Sequence, residues 1–555
     1  MADLSGLPGP HHRHTGARRA GLIGAALAAL TLAGCATSNG DGSWTLPEEG
    51  AGPAGYRYVP LTVAGIADGL RSPQPPREAV EAVGLSQLLI ASSQGEAFPG
   101  GNGVLALNDT LEEAAKESAA EARAGRFRGP LHGVPLLLKD NIETRDMATT
   151  AGSLALANNA PGRDAPLVAR LRDAGAVIVG KANLSEWANI RSTNSISGWS
   201  AVGGLTANPY DPARTACGSS SGSAVAVAIG LVPAAIGTET DGSIVCPASV
   251  NGVVGFKPTV GLVSRTHIVP ISHSQDTAGP MTTTVEDAAM ILSAIAGSDP
   301  ADPATVEADA RKVDYRAALD ANSLSGARIG VMRFLNGYSD EAQAVFEQNL
   351  QALRDAGAVL VEITDGPDMQ AIGRGEIQVL MTELKADMAA YLASTDPTQV
   401  PYRTLADLIA FNDGEPRETV LFGQERFIAA EATQGLDDPA YIQARADSLR
   451  LAGPEGIDRL MREHRVVALI APTTSRAWTN DRDDDDDGQG SASRLAAVAG
   501  YPHLTVPMGF DRGMPVGLSF IGGKWDDARI LSLGHAYELR THARRPPPAR
   551  PAQPQ

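Results

Sequence analysis

The chain has 555 residues, 43% of them hydrophobic, enough apolar material for one large domain or two to three ordinary ones, which excludes a fibrous or disordered protein. Its formal net charge of −18 repels a phosphate backbone, and no basic stripe interleaved with aromatic residues runs through it, so nucleic acid is not expected as a partner.

The first residues have the grammar of a targeting segment: a basic start with Arg13, Arg18 and Arg19, an apolar run 20-AGLIGAALAALTLA-33, then Leu32-Ala33-Gly34-Cys35. The run is short for a bilayer span and is flanked like a signal peptide. Leu32-Ala33-Gly34-Cys35 resembles the lipobox of bacterial lipoproteins, which implies a signal peptide over residues 1–34 and acylation of Cys35; Arg18-Arg19 adds a hint of twin-arginine export. The expected location is the bacterial cell envelope, with the membrane met through the lipid anchor only. Residues 35–57, rich in Gly, Ser and Pro, read as a flexible tether. The cluster His11-His12-Arg13-His14 lies in the removed segment, and the seven histidines elsewhere show no His-Glu-x-x-His spacing, so no metal is expected.

Residues 109–125 predict a helix capped by Asp109 and ended by Gly125, and 133-GVPLLLKDN-141 is a continuous apolar run that suits a strand buried on both faces. A helix over 164–175, with Asp164 at its cap and Gly175 past its end, leads into a second buried strand, 176-AVIVGKAN-183. Strand, helix, strand is the order of an α/β fold. It recurs at 328–333, 339–357 and 358–363, and further strands are expected at 466–474, 503–509 and 515–523. Both ends of the chain are therefore expected to share one sheet in a single large domain over 58–542. Within it, residues 370–460 are helical in pattern (Ile377 to Leu392, Leu405 to Phe411, Tyr441 to Leu451) and could cap a cleft. The run 481-DRDDDDDG-488 lacks EF-hand spacing and reads as a solvated loop, and the proline-rich tail 543–555 is expected to be disordered.

The stretch 215-TACGSSSGSAVAVAIG-230 contains Gly218-x-Ser220-x-Gly222, the pattern of a nucleophile elbow. An elbow needs a buried strand just before it, and 206-TANPYDPARTAC-217 is not one, so Ser220 is expected to be a bystander. A second loop, 237-GTETDGSIVCPAS-249, carries Ser243 after a glycine, where successive N–H groups can converge on an oxyanion. Lys139 ends the first apolar strand; shut away from water it would lose proton affinity and could act as a base, whereas at the surface it would only pair with Asp140. With the signal segment gone, Cys217 and Cys246 are the cysteines left. They flank the two loops, but small-residue surroundings favour free buried thiols over a disulfide.

Together these motifs resemble the amidase signature family: Lys139 in 135-PLLLKDN-141, the loop 218-GSSSGSA-224, 240-TDGSI-244, and 252-GVVGFKPTVGLVS-264, over about residues 60 to 540. The resemblance implies an α/β fold with one large mixed sheet covered by helices on both faces, and no cofactor. It also implies a Ser–cis-Ser–Lys triad, with Ser243 as acyl-forming nucleophile, Ser219 as bridging serine after a cis peptide bond, and Lys139 as base. The N–H groups of Thr240, Asp241, Gly242 and Ser243 become the oxyanion hole. The family often has two glycines before its nucleophile; Asp241 stands at one of those places, which leaves open whether it must take a glycine-like conformation. The wording of 181-KANLSEWANIRSTNSISGWS-200 and 269-VPISHSQDTAGPM-281 is similar to the peptide amidase branch, which implies a monomeric hydrolase of peptide C-terminal amides; the loop with Ser195 and Trp199 is expected to border the substrate, with Trp199 as a plain core aromatic the equal alternative. The rival readings are an amidase of aryl or amino-acid amides, the amidase subunit of a tRNA amidotransferase, and a catalytically dead binding lipoprotein.

Overall fold

The computed structural model describes residues 62–75, 79–84, 86, 102–480 and 490–548, together with two short strand pieces, Thr37–Ser38 and Trp44–Thr45, that pair antiparallel. The predicted signal peptide, Cys35, most of the tether, the acidic run 481–488 and the tail beyond 548 lie outside the described residues. The larger compact unit, Pro60–Pro548, contains every predicted site residue except Cys35.

Eleven strands form its sheet: β1 Val104–Leu107, β2 Pro135–Lys139, β3 Val177–Ala182, β4 Ala234–Glu239, β5 Val254–Lys257, β6 Thr277–Thr282, β7 Arg328–Met332, β8 Val359–Ile363, β9 Ala468–Pro472, β10 His503–Asp511 and β11 Met514–Ile521. Their spatial order is β8-β7-β9-β11-β10-β5-β6-β4-β2-β3-β1. The pairs β2/β3, β2/β4, β7/β8 and β7/β9 are parallel, and the strands between β9 and β4 run antiparallel. The sheet is thus mixed, and strands from the last tenth of the chain sit in its middle.

Alternation within β2 shows why its apolar run is unbroken. Leu136 and Leu138 join one apolar cluster, with helices Pro166–Asp173, Val285–Ile295 and Asp527–Thr541. Leu137 joins another on the opposite face, with helix Ser221–Ala228. A strand covered on both sides has no face left for polar residues. Helix Ser221–Ala228 is buried along its whole length, and its composition follows from close approach: a Cβ added at Gly222 would stand 2.2 Å from the carbonyl oxygen of Gly103.

The helical region comprises Met369–Ala393, Leu405–Gly414, Glu425–Glu431 and Pro439–Ala452, with shorter turns between. A third apolar cluster (Leu384, Leu392, Leu408, Phe427) ties it to Leu156, Trp187 and Ile271, in loops next to the strand ends that carry the site. Two expected caps are corrected. The helix after β1 starts at Leu111 rather than on Asp109, and the helix before β3 starts at Pro166, where Asp164 makes no cap. Residues 543–548 are non-regular but held to the body: Tyr210 Oη donates to the carbonyl of Arg545, and the Arg545 guanidinium lies over the Phe510 ring.

Candidate active site

Lys139 is the last residue of β2, and Thr238 and Glu239 end β4, its parallel neighbour. Their side chains therefore emerge at the carboxyl ends of two adjacent parallel strands, the edge at which α/β sheets form sites. Lys139 is fully buried, and its Nζ lies 2.6 Å from Ser219 Oγ, 2.8 Å from Thr238 Oγ1 and 3.2 Å from Thr238 O. Burial pulls its pKa down to about 7, against the opposing pull of Asp276 and Glu239. The surface pairing of Lys139 with Asp140 does not occur. Asp140 turns to Lys181, 3.3 Å away and equally buried, and accepts from the Thr150 hydroxyl.

Ser219 follows a cis Gly218–Ser219 peptide and is fully buried. Its carbonyl accepts from Ser185 N at 3.0 Å. Ser220, the elbow candidate, has its hydroxyl spent on strand β4: it donates to Thr238 O at 3.0 Å and accepts from Thr238 N at 3.2 Å. Ser221 and Ser223 likewise donate to backbone carbonyls, of Cys217 and Ile236. Of the four serines in this loop, only Ser219 meets Lys139.

Ser243 is 8% exposed, and among the described residues its hydroxyl has no hydrogen-bond partner; its carbonyl accepts from Ser220 N at 3.1 Å, which fixes the two serine loops together. Glu239 shapes the turn, with one carboxylate oxygen accepting from Ile244 N at 2.7 Å and Val245 N at 3.0 Å. Among the described residues the N–H groups of Thr240, Asp241, Gly242 and Ser243 are donated to no protein acceptor. Only Gly242 takes a left-handed conformation (φ 80°), so Asp241 is under no glycine-like constraint.

The two loops are also joined covalently. Cys217 and Cys246 form a disulfide with Cα atoms 6.1 Å apart, which corrects the expectation of free thiols. Cys217 precedes the Gly218–Ser219 bond and Cys246 lies three residues after Ser243. The expected triad already brought the two loops together, but small-residue surroundings gave no sign that their cysteines would pair.

Ser195 and Trp199 sit in a loop whose Gly198 N donates to Ser185 Oγ at 2.8 Å, one link from Ser219. Ser195 Oγ closes a local turn onto Ser192 O at 3.1 Å. Trp199 is 9% exposed and packs edge-on against Phe422 with ring centroids 5.2 Å apart, the role of a core aromatic. Sequence reasoning missed Thr238, which holds Lys139 by two oxygens, and Asp276, whose carboxylate accepts from the Thr240 hydroxyl and from Ile271 N and Ser272 N. Burial pushes the Asp276 carboxyl up to about 6. Among the described residues His273, Glu383 and Asp387 bring potential metal-ligand atoms within 4.8 Å of one another. These groups are engaged with each other and with Tyr441, whose hydroxyl donates to Glu383 at 2.7 Å, and so act as an ion-pair cluster between the 272–276 loop and the long helix Met369–Ala393.

Sheet, loop arrangement and covered lysine are together those of a hydrolase acting on amides. Over residues 99–531 the chain matches the family described as Amidase, and it belongs to that family. Its relatives include the "Probable amidase" of Arabidopsis thaliana, 39% identical over 75% of this chain and 78% of that one, and a glutamyl-tRNA(Gln) amidotransferase subunit of Chloroflexus aurantiacus, 36% identical over 79% and 89%. The native peptide amidase of Stenotrophomonas maltophilia superposes with a TM-score of 0.81 at 50% identity, covering 88% of this chain and 98% of that one.

Proposed function

We propose that this amidase is serine-dependent and hydrolyses the C-terminal amide of peptides to the acid and ammonia through an acyl-enzyme. The observation that carries the mechanism is the 2.6 Å contact between Lys139 Nζ and Ser219 Oγ in a fully buried pocket, where the amine loses its proton near neutrality. Ser243 Oγ attacks the carbonyl carbon while its proton passes to Ser219 Oγ and the Ser219 proton to neutral Lys139. The carbonyl oxygen, now negative, takes hydrogen bonds from the unspent N–H groups of residues 240–243. When the tetrahedral species collapses, the carbon–nitrogen bond breaks and the relay runs backwards, so that the departing nitrogen leaves as ammonia with a proton from Ser219. Water then attacks the acyl ester by the same relay, releasing the acid and restoring Ser243. The peptide substrate is supported by 50% identity to a peptide amidase, well above the 36% shared with the amidotransferase subunit.

The test is ammonia release from an amidated dipeptide. Ser243→Ala is expected to abolish turnover and acyl-enzyme formation, Ser219→Ala and Lys139→Ala to lower kcat/KM by roughly a hundredfold or more, and Ser220→Ala to keep the activity. An inactive Ser220→Ala beside an active Ser243→Ala would sink the reading.

A further inference from the structure

Asp241 stands two residues before Ser243 and is an unusual carboxylate. Its side chain is 22% exposed, and among the described residues it accepts no hydrogen bond. Oδ1 is shut from solvent without a partner, and Oδ2 stands 3.9 Å from Arg494 Nε, too far for a hydrogen bond. Arg494 is thus paired with Asp241 by charge alone, while its Nε donates to Glu376 Oε2 at 2.9 Å. Glu376 Oε1 in turn accepts from Gln275 Nε2 at 3.0 Å, and that same nitrogen lies 3.2 Å from the carbonyl of Thr240. The cluster thus fixes the loop on which Asp241 sits and gives its carboxylate an ionic neighbour but no hydrogen-bond donor among the described residues. A largely desolvated acceptor in that state carries a penalty that a ligand N–H would relieve.

We propose that Asp241 accepts a hydrogen bond from the substrate's acyl-side N–H, that of the residue bearing the terminal amide, and so makes N-acyl amino-acid amides the preferred class over plain carboxamides. The proposal rests on the peptide-amide reading and names the group that would enforce it. Geometry selects this N–H over the leaving one. The leaving nitrogen must face Ser219 to receive its proton, whereas the acyl-side N–H is two bonds from the carbonyl carbon whose oxygen the 240–243 loop binds. One short loop then meets both the oxygen and the N–H of the same residue. An open surface depression lined by Met369, Gln370, Gly373, Arg374, Ile377 and Arg494 adjoins the Asp241 cluster through Arg494. A plain carboxamide would leave the acceptor unpaired, and a buried polar group left unpaired is how a site rejects an analogue lacking one N–H.

The experiment compares kcat/KM for N-acetylphenylalaninamide, 3-phenylpropanamide and N-acetyl-N-methylphenylalaninamide. The wild-type enzyme is expected to favour the first over the other two by tenfold or more. Asp241→Ala should cut that preference by about 10- to 100-fold, whatever it does to absolute rates, and Asp241→Asn, which keeps an acceptor oxygen, should retain part of it. An unchanged ratio in Asp241→Ala, or a fall by one common factor for all three amides, overturns the proposal. If Asp241→Ala does not fold, the N-methyl amide decides with the wild-type enzyme: a penalty of tenfold or more supports the proposal, and no penalty overturns it. An enzyme that cleaves 3-phenylpropanamide but no peptide amide overturns the substrate reading itself, an outcome distinct from a peptide-selective enzyme indifferent to Asp241.

Discussion

In the proposed relay Lys139 serves as a base only while neutral, so the pH dependence of the reaction should report its surroundings. Burial lowers its proton affinity to a pKa of about 7, while the nearby anions Asp276 and Glu239 raise it. Protonation below that value removes the base, and kcat/KM for an amidated dipeptide is expected to fall on the acid side with a limb near pH 7. Replacing Asp276 by Asn removes an anion that favours charged Lys139, so the limb should move to lower pH; a limb that stays put or moves up would refute the assignment of that ionisation to Lys139. The sequence singled out Lys139, Ser219 and Ser243 as candidates because each lies in a short motif whose residue types are chemically demanding. It did not expose Thr238, Asp276 or Gln275, common polar residues whose part depends on strands and loops that meet only in three dimensions. Ser220 was legible as a bystander because its context lacks a strand, but the bonds that tie its hydroxyl to Thr238 were not. Trp199 shows the converse limit: proximity in a motif does not tell an aromatic that lines a pocket from one that packs against Phe422.

At the scale of elements, the named helix bodies and the strands with long apolar runs were legible, whereas the helix starts and the buried strands β4, β5 and β6, whose short Gly-, Thr- and Pro-containing sequences carry no such run, were not. Asp164 is drawn to Arg145 and Arg172, and Pro166 sets the start of its helix at the one position where a missing N–H costs nothing. Before the other helix, Asn108 Oδ1 takes the N–H and hydroxyl of Thr110, and the helix begins after Thr110 with no side-chain cap. The C-terminal signals held, with φ of 68° at Gly125 and 91° at Gly175. The disulfide belongs to this scale because it joins the loop before helix Ser221–Ala228 to helix Val245–Val250, closing a separation of 29 residues. Chain-entropy arguments give such a crosslink about 3 to 4 kcal/mol. Its position predicts more than stability, since separating the loops moves Ser219 relative to Ser243. The Cys217→Ala/Cys246→Ala double variant, or the reduced enzyme, should unfold at lower denaturant and lose kcat severalfold at temperatures where it remains folded. Equal kcat in oxidised and reduced folded enzyme would show that hydrogen bonds alone hold the loops.

Across the whole molecule, strands drawn from both ends of the chain build one sheet, and that much was readable because strand-like, largely apolar segments occur both at 133–183 and at 503–523. Strand order was not readable, because nothing in β10 or β11 marks them as central. Long-range polar contacts that pin distant segments were hidden for the same reason. Asp287, fully buried on helix Val285–Ile295, accepts from Ala64 N at 2.9 Å and so fastens helix Val63–Leu70 across 223 residues of sequence. Burial raises its pKa from 3.8 to about 6, against the lowering effect of the N–H groups of Ala64 and Val63 and of Thr284. The sign follows from linkage: between these values the folded protein holds a proton that the unfolded chain releases. The stabilisation from that proton is complete below the unfolded pKa and is lost as pH rises through 6. Asp287→Asn cannot titrate. The unfolding free energy of the wild type minus that of the variant, from urea melts between pH 4 and 8, should therefore decline by up to about 1.4 kcal/mol per pH unit to near 6 and then level. A difference that is flat or rises over that window would mean that Asp287 is already charged in the folded protein, and that the Val63–Leu70 helix is held by an anion rather than by a carboxyl that keeps its proton.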